Sequence, residues 1–230
     1  MKSPVLIGYL TSIESKELII ADFASGEHDR VPSFFVNLLP KEYPSISLQT
    51  IVYCADSHAL RLDSLMGKLE ESGLLDHVRI IEAKLETMDE TAILRPDMVA
   101  YLERNSEIMT ALDRHLQENK TIPPESFDLG VLNNDVIGYL HEYYKDTSDV
   151  SVGLQKVQQT LKKGALLVVT MPCSLYVADN IKILENLGFR FLDGKDVILA
   201  DGSVSTIDRD TEPQKMSRLG HYTFLIFIRN

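Results

Sequence analysis

The side chains best placed for chemistry are polar residues that close aliphatic runs. Leu18, Ile19 and Ile20 lead to Asp22, after which Ala24, Ser25 and Gly26 form a small-residue turn ahead of Glu27 and His28. Residues 51–55 lead to Asp56 and Ser57, and residues 127–132 lead to Asn133, Asn134 and Asp135. An apolar run that ends in an acid and a small-residue turn describes a buried parallel strand entering a turn whose backbone can approach a ligand. If these ends share one edge of a sheet, they suit a nucleotide-like ligand. Taken singly, each is also an ordinary strand-to-turn junction.

The segments between them supply the elements that must position them. Phe34, Phe35, Leu38 and Leu39 have helical spacing between Pro32 and Pro40, and Ala59, Leu62, Leu65, Met66 and Leu69 share a helical face before Gly73. Residues 78–81 read as a third strand, 127–132 as a fourth and 165–171 as a fifth. The fifth follows a helix over Leu154, Val157 and Leu161 that is expected to end at Lys162, Lys163 and Gly164. Val177, Ile181, Leu184 and Leu187 mark another helix, and strand-like runs follow at 189–192, 197–200 and 221–228. Residues 201–220 read as a long exposed loop or hairpin connection, and residues 1–15 as a leading helix or strand.

Alternating strands and helices predict an α/β fold, a mainly parallel doubly wound sheet with ligand turns at the carboxyl ends of its strands. The expected organisation is one domain over 1–230 with a helical insertion over 89–122, where Val99, Leu102, Met109, Leu112 and Leu116 have helical spacing. That insertion is a candidate lid or contact between copies of the chain, although its apolar face also suits simple packing on the domain.

At 230 residues and 44% hydrophobic content, the chain can bury a full core. No window approaches the ~18 apolar residues of a membrane span, and no signal-type segment opens the chain, so a cytoplasmic protein is expected. A net charge of -11 opposes a phosphate backbone, which makes nucleic acid a poor partner. Cys54 and Cys173 lack CxxC spacing, and no His/Cys grouping resembles a metal site, so neither zinc nor a disulfide is expected.

This arrangement resembles the class I S-adenosylmethionine-dependent methyltransferases, whose first motif is an aliphatic strand, an acid and a turn of the D-x-G-x-G-x-G kind. Here it reads Asp22, Phe23, Ala24, Ser25, Gly26, Glu27, His28, with Gly26 the one glycine retained. The resemblance implies a seven-stranded sheet with a C-terminal antiparallel strand. It implies S-adenosylmethionine as cofactor, contacted by Asp22, Ala24, Ser25, Gly26, Glu27, Asp56, Ser57 and Asn133, with Asp56 on the ribose hydroxyls. Ala24 suits that turn if its φ is negative. Lys84 stands where an adenine-contacting acid or amide is usual, with Glu82 and Glu86 nearby, and it cannot accept that hydrogen bond. In the family's strand order Cys54 and Cys173 are about three strand spacings apart, roughly 14 Å, too far for a bridge.

Methyl transfer from a sulfonium is an in-line displacement, so the protein mainly aligns donor and acceptor. Asn133, Asn134 and Asp135 are the catalytic candidates implied by their place after the fourth strand, with Asp135 equally suited to capping the next helix. The NPPY tetrapeptide and a Pro-Cys nucleophile are absent, which favours a small-molecule or protein acceptor. His58, His115, His141, Tyr143 and Tyr144 read as surface or packing residues. Two other readings are an inactive methyltransferase-like binding or scaffold protein and a nicotinamide-dependent oxidoreductase, for which Gly26 alone is a poor remnant of G-x-G-x-x-G.

Overall fold

The aliphatic runs become strands buried almost along their whole length, as parallel strands covered on both faces must be. A computed structural model describes residues 3–143, 147–172, 177–207 and 220–230. The strands are β1 Glu17–Phe23, β2 Gln49–Asp56, β3 Val78–Ala83, β4 Ala92–Leu94, β5 Phe127–Leu132, β6 Leu161–Met171, β7 Phe189–Ile198, β8 Val204–Thr206 and β9 His221–Arg229. The helices are α1 Pro4–Ser12, α2 Arg30–Pro32 running through a π-helical turn Ser33–Leu38 into α3 Leu39–Glu42, then α4 Ala59–Ser72, α5 Pro96–Arg104, α6 Ala111–Asn119, α7 Val136–Tyr143, α8 Thr147–Thr160 and α9 Val177–Asn186.

One sheet runs β4-β3-β2-β1-β5-β6-β9-β7-β8. From β3 to β6 the neighbours are parallel, whereas β9 is inserted antiparallel between β6 and β7. The chain leaves β1 towards β2 and β3, then returns to add β5 and β6 on the other side. That reversal places a crevice above the carboxyl ends of β1 and β5.

The sheet has nine strands rather than seven, because β4 and β8 add antiparallel edges. Each is three residues long, too short for an alternating hydrophobic pattern to register. The run at 189–192 and the first two residues of the run at 197–200 belong to the single strand β7, with a register irregularity between Phe191 and Asp193, and Leu199 and Ala200 lie in the turn that follows. Lys162, Lys163 and Gly164 do not end a helix. The helix stops at Thr160 and β6 begins at Leu161, and residues 162–165 bulge out of register with Gly164 at φ 77°. Lys162 then pairs with Asp128 at 2.7 Å, which rewards the bulge over another helical turn. The amino-terminal stretch is helical, started by Pro4 and capped by Ser3 Oγ. Cys173 and Tyr144 lie outside the described residues.

Residues 89–122 carry β4, α5 and α6, and their ends are held together by Ile122 N–H donating to Met88 O (2.9 Å) and Ala92 N–H to Lys120 O (2.7 Å). A buried polar network ties this segment to the sheet. Arg79 of β3 and Asp113 of α6 are both 0% exposed, paired at 2.9 Å, and Tyr53 of β2 donates its hydroxyl to the other Asp113 oxygen at 2.8 Å. The remaining guanidinium hydrogens reach the carbonyls of Asp76, Val78 and Ile108. Full pairing is what makes a buried charge tolerable. Asp113 also closes a capping box with Thr110 at the start of α6.

Candidate functional site

The turn after β1 is held by backbone bonds to the end of β2. Ser25 N–H donates to Ala55 O (3.0 Å), Gly26 N–H to Asp56 Oδ2 (2.9 Å) and His58 N–H to Asp56 Oδ1 (2.8 Å). Asp56 is therefore both a brace for the turn and a partner of the chain entering α4. Each of its oxygens keeps a second lone pair for a ligand. Lys68 Nζ caps the far side of the turn at Glu27 O, 2.7 Å away.

Gly26 has φ 64°, where a side chain would be strained, although a Cβ there would meet nothing within 4 Å. Ala24 has φ 56°, so the expectation of a negative φ fails. Hydrogen bonding to β2 forces the left-handed turn on it regardless of its Cβ, at a cost of about 1–2 kcal/mol.

Asp22 lies beneath this turn. It is 1% exposed, its Oδ1 has no partner among the described residues, and burial, then the neighbouring Asp56, pushes its carboxyl well above the usual carboxylate range. The Ser25 hydroxyl is also buried without a partner among the described residues. The register places Cys54 opposite Asp22, and burial raises its thiol, with Asp22 and Asp29 adding to the effect.

Above the turn opens a cavity of about 550 Å³, within the range of small-molecule sites. Its walls include Ala24, Ser25, Gly26 and Glu27 after β1, Asp56 and Ser57 after β2, and Asn133 and Asn134 after β5. The sheet thus brings together every expected ligand contact except Asp22, which is covered by the turn. Lys84, Glu86, His28, His58 and Arg61 also reach the cavity. Lys84 is exposed and its side chain makes no hydrogen bond or ion pair among the described residues, while Glu82 is engaged by Arg95 at 2.9 Å.

The catalytic candidates separate. Asn133 Oδ1 accepts from Thr170 Oγ1 (2.7 Å) and from the Tyr222 hydroxyl (3.2 Å), which leaves its NH₂ group available to a ligand. Asn134 N–H donates to Thr170 Oγ1 at 2.9 Å. Asp135 is absent from the cavity wall: its carboxylate accepts from Gly138 N–H (3.2 Å) and caps α7, so the capping reading holds. A Cβ at position 138 would come within 2.6 Å of that carboxylate, which explains the glycine. Asn134 and Asp135 both have positive φ, a conformation their short polar side chains tolerate.

Thr170 and Tyr222 were not singled out from the sequence. Asp22 pairs with Val131, Val131 with Val168 and Val168 with Ile226. Two residues towards the carboxyl edge on the parallel strands, and four back along antiparallel β9, stand Asn133, Thr170 and Tyr222, on the same sheet face as Asp22 and Asp56. Only the register reveals that arc. Among the described residues no group of three or more His, Cys, Asp or Glu side chains could hold a metal, and no helix is long and apolar enough to cross a membrane.

The sequence matches no protein-family model and no curated protein. Solved structures do match in fold. A SAM-dependent methyltransferase from Methanosarcina mazei superposes with a TM-score of 0.55 at 10% identity, over 99% of this chain and 98% of that one. A SAM-dependent methyltransferase from Aquifex aeolicus gives 0.53 at 12% identity, over 99% and 90%. The [4+2]-cyclase SpnF gives 0.52 at 11% identity, over 98% and 80%. The chain has the Rossmann-like fold of the class I SAM-dependent methyltransferases, and that fold also carries a cyclase.

Proposed function

We propose that this protein binds S-adenosylmethionine in the 550 Å³ cavity and transfers its methyl group to a small-molecule or protein acceptor. The observation that carries this reading is the convergence of the Ala24–Gly26 turn, Asp56 and Asn133 on one cavity at the point where strand order reverses. The residues fit the group. The turn permits close backbone approach, Asp56 keeps lone pairs for a ribose diol, and Asp22 is a buried carboxyl whose Oδ1 has no partner among the described residues, beneath a site for a ligand of net positive charge. When bound, the donor supplies an activated methyl on a sulfonium, so the chain's task is alignment and exclusion of water. Asn133, held by Thr170 and Tyr222, presents its NH₂ group beside the acceptor.

In this reading the whole chain is one cytoplasmic methyltransferase-like domain, and residues 89–122 are an insertion pinned by Arg79 and Asp113. The adenine is contacted by backbone or Glu86, since Lys84 cannot accept its amine. A second reading is a binding or scaffold protein without turnover, favoured by the strained Ala24 at a position where the family uses glycine. Calorimetric titration with S-adenosylmethionine, followed by label transfer from its methyl group to candidate acceptors, separates the two. Binding without transfer supports the scaffold; no binding at near-millimolar donor by folded protein removes both.

A further inference from the structure

The amide of Asn133 is oriented by its neighbours. Its Oδ1 takes hydrogens from Thr170 Oγ1 at 2.7 Å and from the Tyr222 hydroxyl at 3.2 Å, which fills both lone pairs of a carbonyl oxygen. Thr170 Oγ1 is itself anchored, accepting Asn134 N–H at 2.9 Å. Asn133 Nδ2 makes no hydrogen bond among the described residues, and Asn133 lines the cavity. Leu132 is paired with Phe23, so Asn133 stands beside Ala24, where the ligand turn begins. From there α7 continues the wall with the buried side chains of Val136 and Leu140 and the exposed ring of Tyr139. The side chains of Arg61 and Lys84 stand on the same wall as Glu27 and Glu86 and make no ion pair among the described residues, so the cavity admits an anion.

A group that can only donate selects a partner that only accepts. An amine offers one lone pair, which the methyl carbon needs, and N–H hydrogens for which Asn133 Oδ1 has no lone pair left. A neutral alcohol or phenol likewise brings a hydrogen that Asn133 cannot take. An ionised carboxylate carries lone pairs alone, so one oxygen can accept from the Asn133 NH₂ group while the other attacks. We infer that the methyl acceptor is a small-molecule carboxylate on an apolar or aromatic body, covered by Val136, Tyr139 and Leu140, and that the product is its methyl ester. The inference rests on the methyl-transfer reading above and names its substrate. A carboxylate oxygen forms the bond to the methyl carbon, and the electrons of the broken carbon–sulfur bond remain on the sulfur, which becomes a neutral thioether. The charges of nucleophile and sulfonium cancel, and no proton has to move.

The test uses the full chain and has two arms. In the first, ¹⁵N–¹H spectra follow the Asn133 side-chain NH₂ pair, assigned by its loss in Asn133→Asp, as benzoate, phenylacetate or octanoate is added to near-millimolar concentration, with and without S-adenosylhomocysteine. At least one carboxylate is expected to shift that pair saturably, and benzylamine is not. No shift with any of the three, or a shift with benzylamine alone, overturns the inference whatever the turnover. In the second arm, S-adenosylmethionine labelled in its methyl group is offered with a panel of carboxylates, amines, phenols and aliphatic alcohols. Base-labile label is expected on a carboxylate. Asn133→Asp keeps one oxygen for Thr170 and Tyr222 and sets a second oxygen where the NH₂ group stood. It is expected to lower kcat/KM for that carboxylate by about 100-fold or more, through the lost charge-assisted hydrogen bond and the new repulsion, with donor Kd no weaker. Label on amines or hydroxyl compounds in place of carboxylates, label on no compound of the panel, or a kcat/KM within threefold in the variant overturns it. Failure of donor binding in calorimetry instead removes the proposed function and is read separately from either arm.

Discussion

Replacing Asp22 by Asn should make the protein more stable and the site weaker. The native carboxyl is buried, its Oδ1 lacks a partner, and burial together with Asp56 raises its pKa well above 3.8. The folded state therefore holds this proton more tightly than the unfolded chain. Stability from that preference is fully present below the unfolded value and is lost as pH rises through the folded one. Each tenfold difference in proton affinity is worth about 1.4 kcal/mol. Once ionised, the group is a charge beneath the turn with its Oδ1 unpaired among the described residues, and an amide of the same shape removes its repulsion with Asp56. The expected gain is about 1–3 kcal/mol, the usual cost of an unsatisfied buried polar group, or a rise of roughly 2–12 °C in Tm for a chain of this size. Urea titrations from pH 4 to 8 should show the stability of the wild type falling with pH more steeply than that of Asp22→Asn. A bound cationic ligand favours the ionised form of the carboxyl, which an amide cannot supply, so S-adenosylmethionine should bind at least several-fold more weakly to Asp22→Asn. Equal pH slopes, or a variant less stable than wild type at pH 8, would refute the reasoning.

Three further outcomes follow from the geometry. Ala24→Gly relieves a positive φ of 56°, and after the added flexibility of the unfolded chain should stabilise by up to about 1 kcal/mol, read in the same urea titration. Asp113→Ala strands the buried Arg79 guanidinium and should cost about 3–5 kcal/mol, whereas Arg79→Met combined with Asp113→Leu should recover much of it; denaturation midpoints of the three variants decide. Tyr222→Phe removes a hydroxyl from Thr170 and Asn133 and should cost about 0.5–1.5 kcal/mol in stability, with donor Kd unchanged by calorimetry because Tyr222 does not reach the cavity wall.

Strand ends were legible because each couples two signals, an aliphatic run and the polar residue that stops it. Asp22, Asp56 and Asn133 could thus be found and assigned to one edge before their contacts were known. What the sequence concealed depends on register or on hydrogen bonding between distant segments. Ala24 looks compatible with an extended turn until its neighbours' bonds to β2 impose a left-handed one. Thr170 and Tyr222 become neighbours only because β9 is inserted antiparallel between β6 and β7. Arg79 and Asp113 read as ordinary charges, and their mutual burial depends on how α6 folds back on β3. The Lys-Lys-Gly sequence at 162–164 carries a helix-ending signal that Asp128 overrides from the adjacent strand.

The central claim is that the cavity above Ala24–Gly26 is built for a sulfonium nucleoside, and titration calorimetry of the folded full chain tests it most directly. S-adenosylmethionine should bind at one site with a Kd in about the 1 µM–1 mM range typical of enzyme substrates, NAD should not compete, and Asp56→Ala should weaken binding at least tenfold. Absence of binding at near-millimolar donor, or binding of NAD in its place, would contradict the account.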